Sequence, residues 1–445
     1  MNKDFEQKYK KYKKKYLNLK NYQKGGYDSY DDESAFVLDG PSVMYYFSNI
    51  KGKKILLFGE YHFVYETCKN QEDYLKYFKY QTDILRFINY LAKKNYENNT
   101  CLDFLCEHNF YENSSKENFR IYKKLENELL NVNKDFFEIN NKSAIEKRKE
   151  LKLDVLHILN YYFKRSNCSY SKNNKLIKEN SIKYKCYKGF RYHYFDLFWY
   201  LKKKNKLGNI FIVHPFGLLF SNHFYKKKLI LNDFFKTNYK NDNNKDFRYK
   251  FMLSLYNYLS GNKKKRRLYN YGKKILKEIL DYLKKNTEDR QTYFILMTIK
   301  EVEDTSALIQ KQIKNIDSKY FTAESLYNFW LNKIEIITDD HLNFPDTLIK
   351  FMRLSLLDTY SIARMFRKFK PKRKIKNCEG KKSMMNIIYY GGGAHTNNIN
   401  DFIQWQFNIK PDINIKPNIN DKGPDQCLVI PNFSPFEFKM PWDKN

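Results

Sequence analysis

Apolar positions follow two rhythms along this chain. Short, nearly unbroken apolar runs stop at glycine, an acid or histidine: Ile55-Leu56-Leu57-Phe58 ends at Gly59-Glu60, and Cys101-Leu102-Asp103-Phe104-Leu105-Cys106 at Glu107-His108. Arg191-Tyr192-His193-Tyr194-Phe195 ends at Asp196, and Ile387-Ile388-Tyr389-Tyr390 at Gly391-Gly392. Such runs predict buried strands over 54–58, 101–106, 191–196 and 385–390. Stretches with apolar residues three to four apart predict helices over 73–94, the charge-dense 115–165, several pieces of 246–335 broken at Gly261-Asn262 and around 286–290, 347–369, and 398–407. Residues 166–185 read as a polar loop. Strands separated by helices predict an α/β fold over 42–409, with a mostly parallel central sheet, flanking helices, and large helical insertions at about 110–185 and 225–345. The acidic stretch within 27–41 reads as a linker. Prolines at 411, 417, 424, 431, 435 and 441 predict an extended tail over 410–445.

Residues 1–26 set Tyr9, Tyr12, Tyr16 and Leu19 at helical spacing among lysines and stop at Gly25-Gly26, which predicts a basic amphipathic helix. Two readings stay open for it: a plain terminal helix, or an addressing or packaging segment cut after Gly26. The pattern Tyr12-Lys13-Lys14-Lys15-Tyr16-Leu17-Asn18-Leu19-Lys20 followed by Gly-Gly resembles the amino-terminal segment of many proteins of amoeba-infecting giant viruses, and the Lys-, Asn-, Ile-, Tyr- and Phe-rich composition agrees. That resemblance implies a place in the virion or the host cytoplasm.

Charge widens the list of partners. The 82 Lys and Arg against 50 Asp and Glu give a formal charge of +32, which suits nucleic acid or another polyanion. AT-rich coding would also load permissive surface positions with lysine. Runs such as Lys202–Lys204, Lys226–Lys228 and Lys263-Lys264-Lys265-Arg266-Arg267 therefore read either as solvated surface or as a polyanion-binding face. Seven cysteines without a Cys-x-x-Cys pair indicate neither a disulfide framework nor a zinc knuckle, so reduced thiols are expected. The amino terminus has no apolar signal core, and no run approaches the length of a membrane span. The most apolar stretch, 210–220, is interrupted by His214 and Pro215 and reads as core.

Two of the strand ends share a signature. Gly59-Glu60-Tyr61-His62 and Gly392-Gly393-Ala394-His395 are the two Gly-x-x-His matches in the chain, where its 15 Gly and 8 His would give fewer than one by chance. The carboxy-terminal ends of parallel strands lie on one edge, so Glu60, His62, Glu107, His108, Asp196 and His395 can converge there. Imidazoles with carboxylates can hold a divalent metal ion that acidifies water, through His62, His395 and Glu107. Alternatively, one histidine can take a proton from water while the acids orient it. Both routes are hydrolytic.

An apolar strand leading to Gly-Glu-x-His, a second strand ending in Glu107 and a late strand leading to Gly-x-x-His resemble the superfamily of erythromycin esterases, ChaN-like haem-binding lipoproteins and Tiki/TraB proteins. The resemblance rests on about twenty residues between 54 and 407. It implies an α/β core with Glu60 and His62 in the primary site and with Glu107 and His395 facing them. Peptide cleavage, ester hydrolysis and haem binding all occur in that superfamily, so no single substrate follows.

Other positions carry paired readings. Asp358, on an apolar helical face followed by Arg364 and Arg367, which are one turn apart, forms a buried salt bridge or supplies an acid or arginine to the site. His193 and Asp196 point to opposite faces of their strand, and Asp196 at its end is the better placed. His214 reads as a core histidine, His108 as pointing away from Glu107, and Cys68 and Cys106 as packing. The leading expectation is a hydrolase of a small-molecule ester or a peptide. A different class stands beside it: a non-catalytic virion structural or packaging protein whose basic surface binds nucleic acid or virion proteins.

Overall fold

Lys51 and Gly52, both at positive φ (50° and 88°), close a two-residue turn of the kind that matches strand twist and joins two strands into a hairpin. In the computed structural model the hairpin belongs to the main sheet. The structure describes residues 36–60, 80–98, 100–107, 189–194, 244–285, 306–338, 344–368, 384–416, 427–430 and 434–438, with short pieces at 155–156, 159, 163, 234–235, 238, 419–420 and 423–424. The strands are β1 (Phe36–Asp39), β2 (Val43–Ile50), β3 (Lys53–Glu60), β4 (Tyr80–Asp83), β5 (Leu102–Cys106), β6 (Phe190–Tyr194), β7 (Asn386–Gly392), β8 (Ile413–Ile415), β9 (Ile419–Asn420), β10 (Gly423–Pro424) and β11 (Cys427–Ile430). The helices are α1 (Ile84–Glu97), α2 (Lys245–Ser260), α3 (Arg266–Lys285), α4 (Ala323–Thr338), α5 (Phe344–Met365) and α6 (Gly393–Phe407).

The chain divides into two compact units. The first comprises Met1–Tyr194, Lys372–Asn400 and Lys410–Asn445, and the second Phe195–Pro371 with Asp401–Ile409. In the first, six strands run in the order β6-β5-β7-β3-β2-β8. The pairs β6/β5, β5/β7 and β7/β3 are parallel, while β3/β2 and β2/β8 are antiparallel. The α/β class with a mostly parallel sheet is thus what the molecule has. A second sheet, β11-β1-β4, places a strand within the stretch read as a linker. Asp83 ends β4 and caps α1, its Oδ1 accepting the Arg86 N–H at 2.8 Å, so the first part of the expected 73–94 helix that is described, Tyr80–Asp83, is strand. Residues beyond Lys410 are laid into both sheets as β8 and β11.

One face of the main sheet carries the aromatic core. Phe58, Phe104 and Tyr390 pack there with Phe87, Ile88 and Leu91 of α1 and with Phe36 and Leu38 of β1. At the opposite end from the site, the fully buried Lys53 ammonium donates to the Met384 carbonyl, which satisfies a charge that burial would otherwise make costly. Cys106 is a buried cysteine outside any disulfide, whereas Cys101 and Cys427 are disulfide-bonded, which corrects the expectation of reduced thiols throughout. Cysteine count and spacing failed here because pairing depends on which strand ends the fold brings close.

The second unit is helical where it is described. Gly261 (φ 78°) ends α2 in the left-handed conformation, and α3 returns along it. They approach at Gly272, where an added Cβ would stand 2.0 Å from the Ser254 carbonyl oxygen. Phe351 packs edgewise on Trp330 and Tyr256, whose rings are tilted to one another, within the core of α2, α4 and α5.

Candidate active site

The last strand takes the central position. Because β7 lies between β3 and β5, its terminal glycines separate the two acids: Glu60 is opposite Gly392, and Glu107 follows Cys106, which is opposite Tyr390. The Glu107 N–H donates to the Tyr390 carbonyl at 2.9 Å, which extends the ladder by one residue. Adjacent strands stand about 4.8 Å apart, so the two acids flank β7 at roughly 10 Å between backbones. Glycine is required on this edge. A Cβ at Gly391 would lie 2.8 Å from Glu107 Oε2 and 2.6 Å from the Tyr389 hydroxyl. A Cβ at Gly59 would lie 2.9 Å from Gly393 Cα, so Gly59 lets the start of α6 close on the sheet.

The third glycine of the triplet opens the helix. The expected helix begins at 398, but α6 starts at Gly393, which puts His395 in its first turn instead of in a loop. Thr396 Oγ1 donates to the Phe58 carbonyl at 2.9 Å, with the Gly392 carbonyl at 3.1 Å, and so ties that turn to β3. Glu107 Oε2 accepts the Gly392 N–H at 2.6 Å, which places a carboxylate at the positive pole of α6. Its other oxygen stands 3.5 Å from His395 Nε2. His395 is 5% exposed and Glu107 is half-buried.

Glu60 faces the other way. It is buried, and its Oε2 accepts the Tyr390 hydroxyl at 2.7 Å. Successive residues of a strand alternate faces, so Tyr390 serves Glu60 on the core face while the Tyr389 hydroxyl lies beside Glu107 on the α6 face. The fold therefore brings Glu107 and His395 together and sets Glu60 across the sheet edge from them. His62 and Asp196 lie outside the described residues, as do His108, His214 and Cys68. Among the described residues no three His, Cys, Asp or Glu side chains converge as metal ligands. Glu107 and His395 could supply two ligands to an ion.

A second polar cluster lies on the Glu107 face. Asp103 is fully buried, and its carboxylate accepts Arg191 Nε and Nη2, both at 2.6 Å, and meets His193 Nε2 at 2.6 Å. The β5/β6 register pairs Asp103 with Arg191 and Leu105 with His193. Burial pushes the Asp103 carboxyl up, but the Arg191 charge and the His193 hydrogen bond outweigh it and hold the pKa at about 2. His193, set aside above in favour of Asp196, is thus an ordered partner of a buried acid. Sequence reasoning passed over Asp103, Arg191, Tyr389 and Tyr390. The available signal was a lone acid inside an apolar strand, four residues before Glu107 and so on the same face.

Asp358 and Arg364 belong to the second unit. Asp358 is fully buried there, and the Tyr256 phenol is raised well above its ordinary pKa by burial, by Tyr327 and by the Asp358 charge. Arg367 donates to Gln312 Oε1 at 2.6 Å. Its guanidinium pKa is lowered by burial and by the nearby Arg364. Comparison of the chain with protein-family models, with curated proteins and with solved structures yields no match.

Proposed function

We propose that this protein hydrolyses ester or peptide bonds, with Glu107 and His395 as its acting pair. The observation that carries the reading is the Glu107 carboxylate, pinned by the Gly392 N–H at 2.6 Å and 3.5 Å from His395 Nε2. A carboxylate held beside an imidazole orients the ring and stabilises its protonated form. His395 then takes a proton from water as that water attacks a carbonyl carbon, and returns it to the leaving group. General-base assistance of this kind is worth about 10²–10⁴-fold in rate. Glu60, the expected partner of His62 in the Tiki/erythromycin-esterase-like reading, is held in place by Tyr390. If a divalent ion assists, His395 and Glu107 are ligands for it, and its chemistry would be to acidify bound water.

The test uses the full chain on p-nitrophenyl esters and on a mixed peptide library, with and without added Zn²⁺ or Mn²⁺. Turnover is expected. Glu107→Gln keeps an acceptor for the Gly392 N–H but loses the charge facing His395. It and His395→Gln should each lower kcat at least about 100-fold while leaving the circular-dichroism spectrum unchanged. Unaltered turnover in either variant overturns the assignment.

A further inference from the structure

The run Lys263–Arg267, singled out in the sequence, takes a definite place in the second unit. It leads into α3 and forms its first turn, and Lys273, Lys274 and Lys277 follow on the same helix. All eight side chains are exposed, and no acid occurs between Lys263 and Lys277. At 3.6 residues per turn, Arg266, Arg267, Lys273, Lys274 and Lys277 fall within an arc of roughly 120°, with Asn270 at its centre. The opposite arc holds Gly272, Ile275, Leu276 and Ile279, all buried. The cations therefore form a stripe along one helix.

Folding alone gives no reason for this arrangement. A helix amino terminus is the positive pole, and cations there repel it and one another. The first turn of α3 holds no acid to relieve them. Among the described residues two acids answer the stripe from outside or further along, Glu324 at 2.9 Å from Lys264 Nζ and Glu278 at 3.6 Å from Lys274 Nζ. Tyrosine rings flank it: Lys263 Nζ lies 5.9 Å from the Tyr269 ring centre, and Lys250 Nζ from α2 lies 5.7 Å from that of Tyr271.

We infer that the exposed face of α3, with its Lys263–Lys265 lead, is a binding surface for the phosphodiester backbone of nucleic acid. Arg266 to Lys277 spans about 16 Å at 1.5 Å per residue. That length matches on the order of five phosphates on a strand. An anionic membrane is the less fitting partner, because a helix that lies on lipid inserts an apolar face, and the apolar face of α3 is turned inward. Among the described residues the large exposed apolar side chains are Tyr96 and Trp405, neither of them on this helix. The inference uses no residue of the strand-edge site, so it stands or falls independently of hydrolysis.

Fluorescence anisotropy with a labelled 20-base-pair DNA duplex and a 20-nucleotide RNA, from 50 to 300 mM KCl, tests it on the full chain. The variant Arg266→Gln/Lys273→Gln/Lys277→Gln is compared with Lys311→Gln/Lys314→Gln/Lys319→Gln, which removes the same charge from exposed positions elsewhere in the unit. The stripe variant should weaken binding at least tenfold at 100 mM salt. It should also flatten the slope of log Kd against log salt by about 2.7 for duplex or 2.1 for RNA, from 0.9 or 0.7 per phosphate lost. The control variant should retain parental affinity within about threefold. Equal losses in both variants would mean diffuse charge and overturn the assignment. So would absence of binding at 50 mM salt, or tighter binding to phosphatidylserine vesicles than to either nucleic acid.

Discussion

Replacing Asp103 by asparagine tests how the first unit is held together. In the parent, one carboxylate answers three donors on β6, Arg191 Nε, Arg191 Nη2 and His193 Nε2, each at 2.6 Å. Asp103→Asn keeps the size but leaves one acceptor oxygen and turns an amide donor toward a donor. Two estimates bracket the cost. Moving the carboxyl pKa from 3.8 to about 2 corresponds to about 2 kcal/mol at 1.36 kcal/mol per unit, undiscounted because the group is fully buried. Removing one partner of a buried ion pair typically costs about 3–5 kcal/mol, because the remaining charge stays behind. The variant should therefore lose about 2–5 kcal/mol at pH 7. Hydrogen exchange followed by mass spectrometry suits the assay, because it reads peptides covering Leu102–Cys106 and Phe190–Tyr194 separately from the second unit.

The pH dependence supplies the sharper check. A carboxyl whose folded pKa is depressed contributes stability that is complete above its unfolded value near 3.8 and is lost as pH falls through about 2. The gap between parent and Asp103→Asn should therefore shrink between about pH 4 and 2. A gap below about 1 kcal/mol at pH 7, or one that persists unchanged at pH 2, would refute this account of the Asp103, Arg191 and His193 cluster.

Gly391→Ala would drive a methyl group to 2.8 Å from Glu107 Oε2 and 2.6 Å from the Tyr389 hydroxyl. It should lower stability by about 1–3 kcal/mol and abolish turnover by displacing Glu107, read by thermal melting and ester hydrolysis together. Tyr390→Phe removes the hydroxyl that donates to buried Glu60 at 2.7 Å. Losing that buried hydrogen bond to a charged group should cost about 1–3 kcal/mol, and an unchanged melting midpoint would refute the pairing.

Much of the strand content was legible from local patterning. The runs before Gly59, Glu107 and Gly391 are strands because aliphatic and aromatic residues in short, nearly unbroken groups fit a sheet buried on both sides. Gly261 could be read as a helix break because a left-handed cap favours glycine. The acids at the strand ends were equally visible, as was the charge run before α3. Less legible was the start of α6: three glycines predict a turn, yet Gly393 begins the helix because Gly59 lets it pack directly on β3. The strand Phe36–Asp39 was missed because what holds it is pairing with β4 and β11, distant in the chain.

By itself, then, the sequence determined the strand runs that end at Gly59, Glu107 and Gly391 and set Glu60 and Glu107 at their ends, since each of these follows from neighbours a few residues away. Only the tertiary structure decided that β7 inserts between β3 and β5, which sends Glu60 toward Tyr390 on one face and Glu107 toward His395 on the other. It also decided that β6 pairs with β5 in the register that joins Asp103 to Arg191 and His193. Strand order and register are set by burial of whole faces against distant elements, and a shift of one residue would reverse every side chain. No local pattern in the chain carries that information.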